Sequence, residues 1–257
     1  MKNRFLKLLA GVLLIGTLVG CDDSQPIQPM TSAPAQQEQT QASTPAAAPV
    51  QPPQIAFTAQ DMLAANWVLV LDNSGSMNTT SCSGKETRMV AGGKAVINFA
   101  RQRPANDNFG LVLFSSGATA LVAAPLGRDR KLFETEVTKA SPDYATPLGP
   151  AIELAYYELM KQYQRQGGYG TYHIVVVTDG EANRGRDPEP LVKEVVKKSP
   201  VQVHTVGFCT GAGHRLNLPG YATYATADNA EQINKALLAV LASESETYAD
   251  SQFVGGK

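Results

Sequence analysis

Five side chains that end in oxygen fall where the chain turns. They are Asp72, Ser74 and Ser76 in "VLVLDNSGSM" (68–77), Thr146 in "DYATPLGPAI" (143–152) and Asp179 in "VVVTDG" (175–180). None offers nitrogen or sulfur, and an all-oxygen donor set suits a small hard cation. Mg²⁺ or Mn²⁺ is expected in preference to Ca²⁺. Ser74 and Ser76 lie two apart, so an extended turn can aim both hydroxyls one way, and Gly75 lets the backbone bend closely between them. Three hydroxyls are neutral, so where the two carboxylates act through water a divalent ion is left under-neutralised at contact, and such an ion with an open position seeks an anionic ligand. Taken singly, the segments are ordinary: "DNSGS" is a turn and cap, "ATPLGP" a helix start, "TDG" another turn. Only a fold that gathers them makes a site.

The elements around them predict that fold. "NWVLVLD" (66–72) and "TYHIVVVTD" (171–179) are apolar runs that end in a carboxylate, as expected of strands buried on both faces. Helical spacing marks 88–103, where Met89, Ala95, Val96, Phe99 and Ala100 recur. "NFGLVLFSSG" and "ATALVAAPL" predict two strands joined by a glycine-containing turn. Two helices follow, "RDRKLFETEVTKA" and "PLGPAIELAYYELMKQYQRQ", the second with Pro147 and Pro150 where a helix start tolerates them. Beyond Asp179 come a helix in "PEPLVKEVVKKS", strands in "VQVHTVGF" and "YATYATA", and a last helix in "NAEQINKALLAVLASE". Strands alternating with helices predict an α/β fold with a mostly parallel sheet and helices on both faces. In such sheets ligands sit at the carboxyl ends of strands near a switch in strand order.

The three motifs, in this order and each after the right kind of element, resemble the von Willebrand factor A domain over about residues 64–243. The resemblance implies a doubly wound six-stranded sheet of order 3-2-1-4-5-6 with one antiparallel edge strand. It also implies a metal-ion-dependent adhesion site. Ser74 and Ser76 would be direct ligands, and Asp72, Thr146 and Asp179 would be ligands directly or through water. The remaining position is filled in the family by a partner's Glu or Asp. The implied function is a module that grips a protein partner's acidic residue through a divalent cation. A domain whose metal only staples loops is the alternative.

Enzymatic readings fit the residues less well, so no catalytic residue is assigned. A phosphatase of the haloacid dehalogenase type needs a second Asp two residues after the first, where Ser74 stands. A serine hydrolase needs a base beside its nucleophile and usually a Gly-x-Ser-x-Gly turn. "AGGKA" (91–95) is no phosphate loop, since Arg88 and Ala95 occupy positions that require Gly and Ser/Thr. A metal-dependent hydrolase is the remaining enzymatic alternative.

The N-terminal stretch has its own chemistry. Lys2, Arg4 and Lys7 precede an apolar run that ends in "LVGC", which resembles the lipobox of bacterial lipoproteins. Residues 1–20 are then a signal peptide and Cys21 the lipidated N-terminus. Asp22 after it resembles an inner-membrane retention signal, so the expected location is the inner membrane, facing the periplasm; the outer membrane is the alternative. Loss of 1–20 moves the formal charge from −1 to −4, which gives no reason to expect nucleic acid. Residues 21–55, rich in Pro, Gln and Ala, lack the apolar content to fold and form a linker of roughly 30–35 Å mean span. The expected folded unit is 56–244, with a loose tail at 245–257.

In an oxidising compartment the two remaining thiols, Cys82 and Cys209, are expected to form one disulfide. The family's sheet would place both at the metal-bearing end. Arg184 and Arg186, close after Asp179, form either a positive rim for an acidic partner or a solvated loop. His173, His204 and His214 show no zinc spacing, and His204 is expected in the core or at a sheet edge.

Overall fold

The computed structural model describes residues 58–142, 144–180, 182 and 187–251, with only the course of the backbone for 241–251. In chain order the elements begin with α1 (Ala59–Met62), β1 (Ala65–Leu71), α2 (Arg88–Arg101), β2 (Asn108–Ser115), β3 (Thr119–Gly127) and α3 (Arg130–Lys139). They continue with α4 (Leu148–Arg165), β4 (Thr171–Thr178), α5 (Glu189–Lys198), β5 (Val201–Phe208), β6 (Ala222–Ala227) and α6 (Ala230–Ser251). The sheet runs β3-β2-β1-β4-β5-β6, with β3 antiparallel to β2 and every other pair parallel. This is the doubly wound order that the family resemblance implies.

Strand β1 is buried on both faces because its alternate side chains enter two different cores. Trp67, Leu69 and Leu71 pack with Val96 and Phe99 of α2, Phe133 of α3 and Leu237 of α6. Val68 and Val70 pack with Ile152 and Leu159 of α4 and Val192 of α5. The glycines of "AGGKA" have a packing role here. A Cβ on Gly92 would lie 3.6 Å from Leu71, and one on Gly93 only 3.3 Å from Val137 of α3.

From β1 the chain moves outward to β2 and β3, then crosses back through α4 to β4 on the other side. The switch in strand order therefore falls between β1 and β4, the place where such sheets open a crevice at their carboxyl ends. Gly117, at φ 68°, closes the β2–β3 connection in the left-handed conformation that glycine adopts without strain.

Two elements depart from expectation. The short helix α1 was not anticipated, although Thr58-x-x-Asp61 is a capping box. The Asp61 N–H donates to Thr58 Oγ1 (3.2 Å) and the Thr58 N–H to Asp61 Oδ2 (2.7 Å). Helix α6 continues to Ser251, into the stretch expected to be a loose tail.

Candidate metal centre

Asp72 directly follows β1, and its N–H extends the ladder to Val177 O (2.9 Å). Parallel register sets Leu71 beside Val177, so Asp72 lies next to Thr178, the last residue of β4. Thr178 Oγ1 donates to Asp72 Oδ2 (2.5 Å), and the Ser74 N–H donates to Asp72 Oδ1 (2.8 Å). Above this pair runs a chain of oxygens. Ser74 Oγ is 3.0 Å from Ser76 Oγ, which donates to Asp179 Oδ1 at 2.7 Å. Arg88 Nη1 then donates to Asp179 Oδ2 at 2.7 Å.

Neighbouring loops hold this geometry. Asn73 braces the turn against β2: its Oδ1 accepts from the Phe114 N–H (2.7 Å), and its Nδ2 donates to Phe114 O and Ser141 O. Ser74 forms a parallel bridge with Tyr144, and the Gly75 N–H donates to Tyr144 O (3.1 Å). Thr146 stands two residues beyond that bridge, so the third predicted segment joins the first two. On the other flank buried His214 uses Nε2 on Gly180 O (2.8 Å) and Nδ1 on the Leu216 N–H (3.1 Å). With one ring nitrogen on a carbonyl and the other on an N–H, it fixes the turn after Asp179. The Cys82–Cys209 disulfide ties the loop after Ser76 to the end of β5 at the same end of the sheet.

The Asp72 carboxyl is fully buried and receives only neutral donors. Burial pushes it up to about 6, against the pull of the hydrogen bonds from Ser74 and Thr178, and the Asp179 charge adds a little to the rise. His204 moves the other way: burial first, and His173 second, push it down to about 3. It is neutral near pH 7 and buried at 1 % exposure, a core residue as expected.

The oxygen spacing tests whether a cation fits. Six ligands at Mg²⁺ distances put adjacent oxygens roughly 2.8–3.0 Å apart, and Ca²⁺ distances put them roughly 3.3–3.7 Å apart. The 3.0 and 2.7 Å along Ser74–Ser76–Asp179 are hydrogen-bond separations, and they leave these oxygens close enough together to share one small cation. No cluster of three or more His, Cys, Asp or Glu suited to a metal occurs among the described residues. The donor set here is three hydroxyls and two carboxylates, so it differs from such a cluster.

Residues 67–181, which span all five predicted ligands, match the family model of the von Willebrand factor type A domain. Over these residues the chain is similar to that family. No curated protein matches the chain. Among solved structures, the conserved hypothetical protein BatB from Bacteroides thetaiotaomicron is 19 % identical at TM-score 0.58, covering 71 % of this chain and 100 % of its own. An aerotolerance-related membrane protein from Bacteroides fragilis is 20 % identical at TM-score 0.55, covering 69 % and 96 %. Proximal thread matrix protein 1 from the mussel byssus, solved with a zinc-occupied MIDAS motif, is 16 % identical at TM-score 0.51, covering 69 % and 47 %. At these identities the likeness is one of fold.

Asp72, Ser74, Ser76 and Asp179 are thus joined by direct hydrogen bonds, with Thr146 on the adjoining loop. Cys21, Arg184 and Arg186 lie outside the described residues. Sequence reasoning missed Thr178, Asn73, His214 and Arg88. Arg88 alone carried a signal: an arginine opening a helix meets the positive end of the helix dipole and needs an anion nearby.

Proposed function

We propose that this domain is a binding module whose Asp72, Ser74, Ser76, Thr146 and Asp179 hold a divalent cation, Mg²⁺ or Mn²⁺, that engages an acidic side chain of a protein partner. The observation that carries this reading is the oxygen chain Ser74–Ser76–Asp179 above buried Asp72, at the switch point of the sheet. When bound, the ion supplies a Lewis-acidic point of attachment for a carboxylate. The protein's own part is rigidity: Asn73, Thr178 and the Ser74–Tyr144 bridge fix where the oxygens sit. Among the described residues, the Ser74 and Ser76 hydroxyls bond to each other and to Asp179 rather than to a histidine. This favours ligand over nucleophile.

No helix among the described residues is long and apolar enough to cross a membrane. Attachment in this proposal rests on Cys21 as a lipidated N-terminus, with residues 21–55 as the spacer that lifts the domain off a bacterial envelope membrane. The description of the Bacteroides fragilis relative as a membrane protein supports that setting.

The test titrates Mg²⁺ into the purified full-length chain and into Asp72→Ala while the melting temperature is followed. A metal-dependent rise is expected in the first and not in the second. Equal shifts would end the site assignment. Capture from envelope extracts with and without chelator then separates partner binding from a metal that only staples loops, for which retention would not depend on the ion.

A further inference from the structure

Arg88 opens α2 directly after its N-cap Thr87, and no acidic residue lies in that first turn. A guanidinium there faces the positive end of the helix dipole, an unfavourable place unless a nearby anion compensates. Asp179 is that anion. Its side chain is fully buried, and its two oxygens are divided: Oδ1 accepts from Ser76 and Oδ2 from Arg88, whose own side chain is 14 % exposed. Arg88 is also clamped from behind. Its Nε donates to Ser81 O (3.1 Å) and its backbone N–H to Thr79 O (2.8 Å). The loop supplying both acceptors is pinned at its next residue by the Cys82–Cys209 disulfide.

We infer that Arg88 is a built-in counter-cation of the metal centre, which weakens the hold on a divalent ion alone and strengthens its demand for an incoming carboxylate. This rests on the proposal that Asp72 and Asp179 help to hold that ion. Charge counting gives the reason. Two carboxylates and one guanidinium carry one net negative charge, so a divalent ion leaves the centre with one positive charge. A partner's carboxylate brings it to neutrality. Without Arg88 the ion alone neutralises the two aspartates, and a further carboxylate makes the centre negative. A divalent ion and a guanidinium bound to the same buried carboxylate also repel one another in a low-dielectric setting. Arg88 thus makes metal and partner binding cooperative rather than independent.

The experiment measures Mn²⁺ binding to the full-length chain by electron paramagnetic resonance, with acetate as the carboxylate probe and chloride at equal ionic strength as control. Arg88→Gln is expected to bind Mn²⁺ about tenfold more tightly than wild type in chloride, equivalent to about 1.4 kcal/mol. The gain on changing chloride for acetate should be clear in wild type and small in Arg88→Gln. Arg88→Lys, which keeps the charge, should stay within about twofold of wild type in both media. If the metal-free Arg88→Gln protein is unfolded, Mn²⁺ should refold it, because the ion replaces the missing positive charge. Unchanged or weaker Mn²⁺ binding in Arg88→Gln, an undiminished acetate effect, or failure of Mn²⁺ to refold it would overturn the inference. The underlying site is judged separately by Asp72→Ala: equal Mn²⁺ binding there would refute the metal centre itself, whatever Arg88 does.

Discussion

The two ends of β1 both bury polar side chains and treat them in opposite ways. At the amino end, Asn66 donates to Gln166 Oε1 (2.7 Å), Ala64 O and Thr171 O, and accepts from Asn108 Nδ2 (2.9 Å). Gln166 donates in turn to Asp61 O (2.7 Å) and Ala64 O (3.2 Å). Neutral amides carry this network, and it ties α1, the end of α4 and three strands together. At the carboxyl end stand two carboxylates and one guanidinium, with Asp72 receiving only an N–H and a hydroxyl. Amides can be satisfied inside a protein at little cost, whereas a buried carboxylate keeps a demand for positive charge. The amino end is satisfied by neutral groups of the chain, and the carboxyl end, on the proposed reading, is completed by an added ion.

If that contrast is right, the carboxyl end should depend on an added staple. Its loops are held by a disulfide that closes 127 residues of sequence, and Cys82 and Cys209 both adopt left-handed backbone, at φ 65° and 58°. Replacing both cysteines by serine is expected to cost about 5 kcal/mol by the chain-entropy relation, read by urea denaturation under non-reducing conditions. A loss below about 1 kcal/mol would mean that the loops hold themselves.

The amino end should respond next most strongly. Asn66→Ala leaves the Gln166 oxygen and the Asn108 amide short of partners, at an expected cost of about 3 kcal/mol. That loss should be the same with and without Mg²⁺. A loss that Mg²⁺ repairs would show the two ends to be coupled.

The smallest effect has the opposite sign. Asp72→Asn removes a buried charge that only neutral groups solvate, so the metal-free protein should gain about 1 kcal/mol at pH 7. The same variant should lose the Mg²⁺-induced rise in melting temperature. Destabilisation of the metal-free protein would mean that Asp72 is as fully satisfied as Asn66, and the contrast between the ends would fail.

Much of this molecule is legible one segment at a time. Unbroken apolar runs in "NWVLVLD" and "TYHIVVVTD", each ending in a carboxylate, specify buried strands with acids at their tips. The glycine in "SSGA" places the β2–β3 turn, and Pro147 and Pro150 place the start of α4. Such signals survive because backbone conformation and side-chain periodicity are set by neighbours within a few residues. The one short helix that escaped, α1, is small enough that its capping box was the whole signal. The extension of α6 to Ser251 lies in a polar stretch whose composition does not distinguish helix from tail.

The sequence by itself determined the kind of donor, oxygen throughout, the order in which the donors occur and their places at strand ends. Tertiary structure decided what each one meets. Thr178 reaches Asp72 across 106 residues of chain, Ser76 reaches Asp179 across 103, and Arg88 reaches the same carboxylate across 91. No local rule links residues so far apart. They meet because β1 and β4 pair in one register at the switch point, and because α2 begins where its first side chain overlooks the end of β4. That Arg88 stands beside Asp179 follows from that packing.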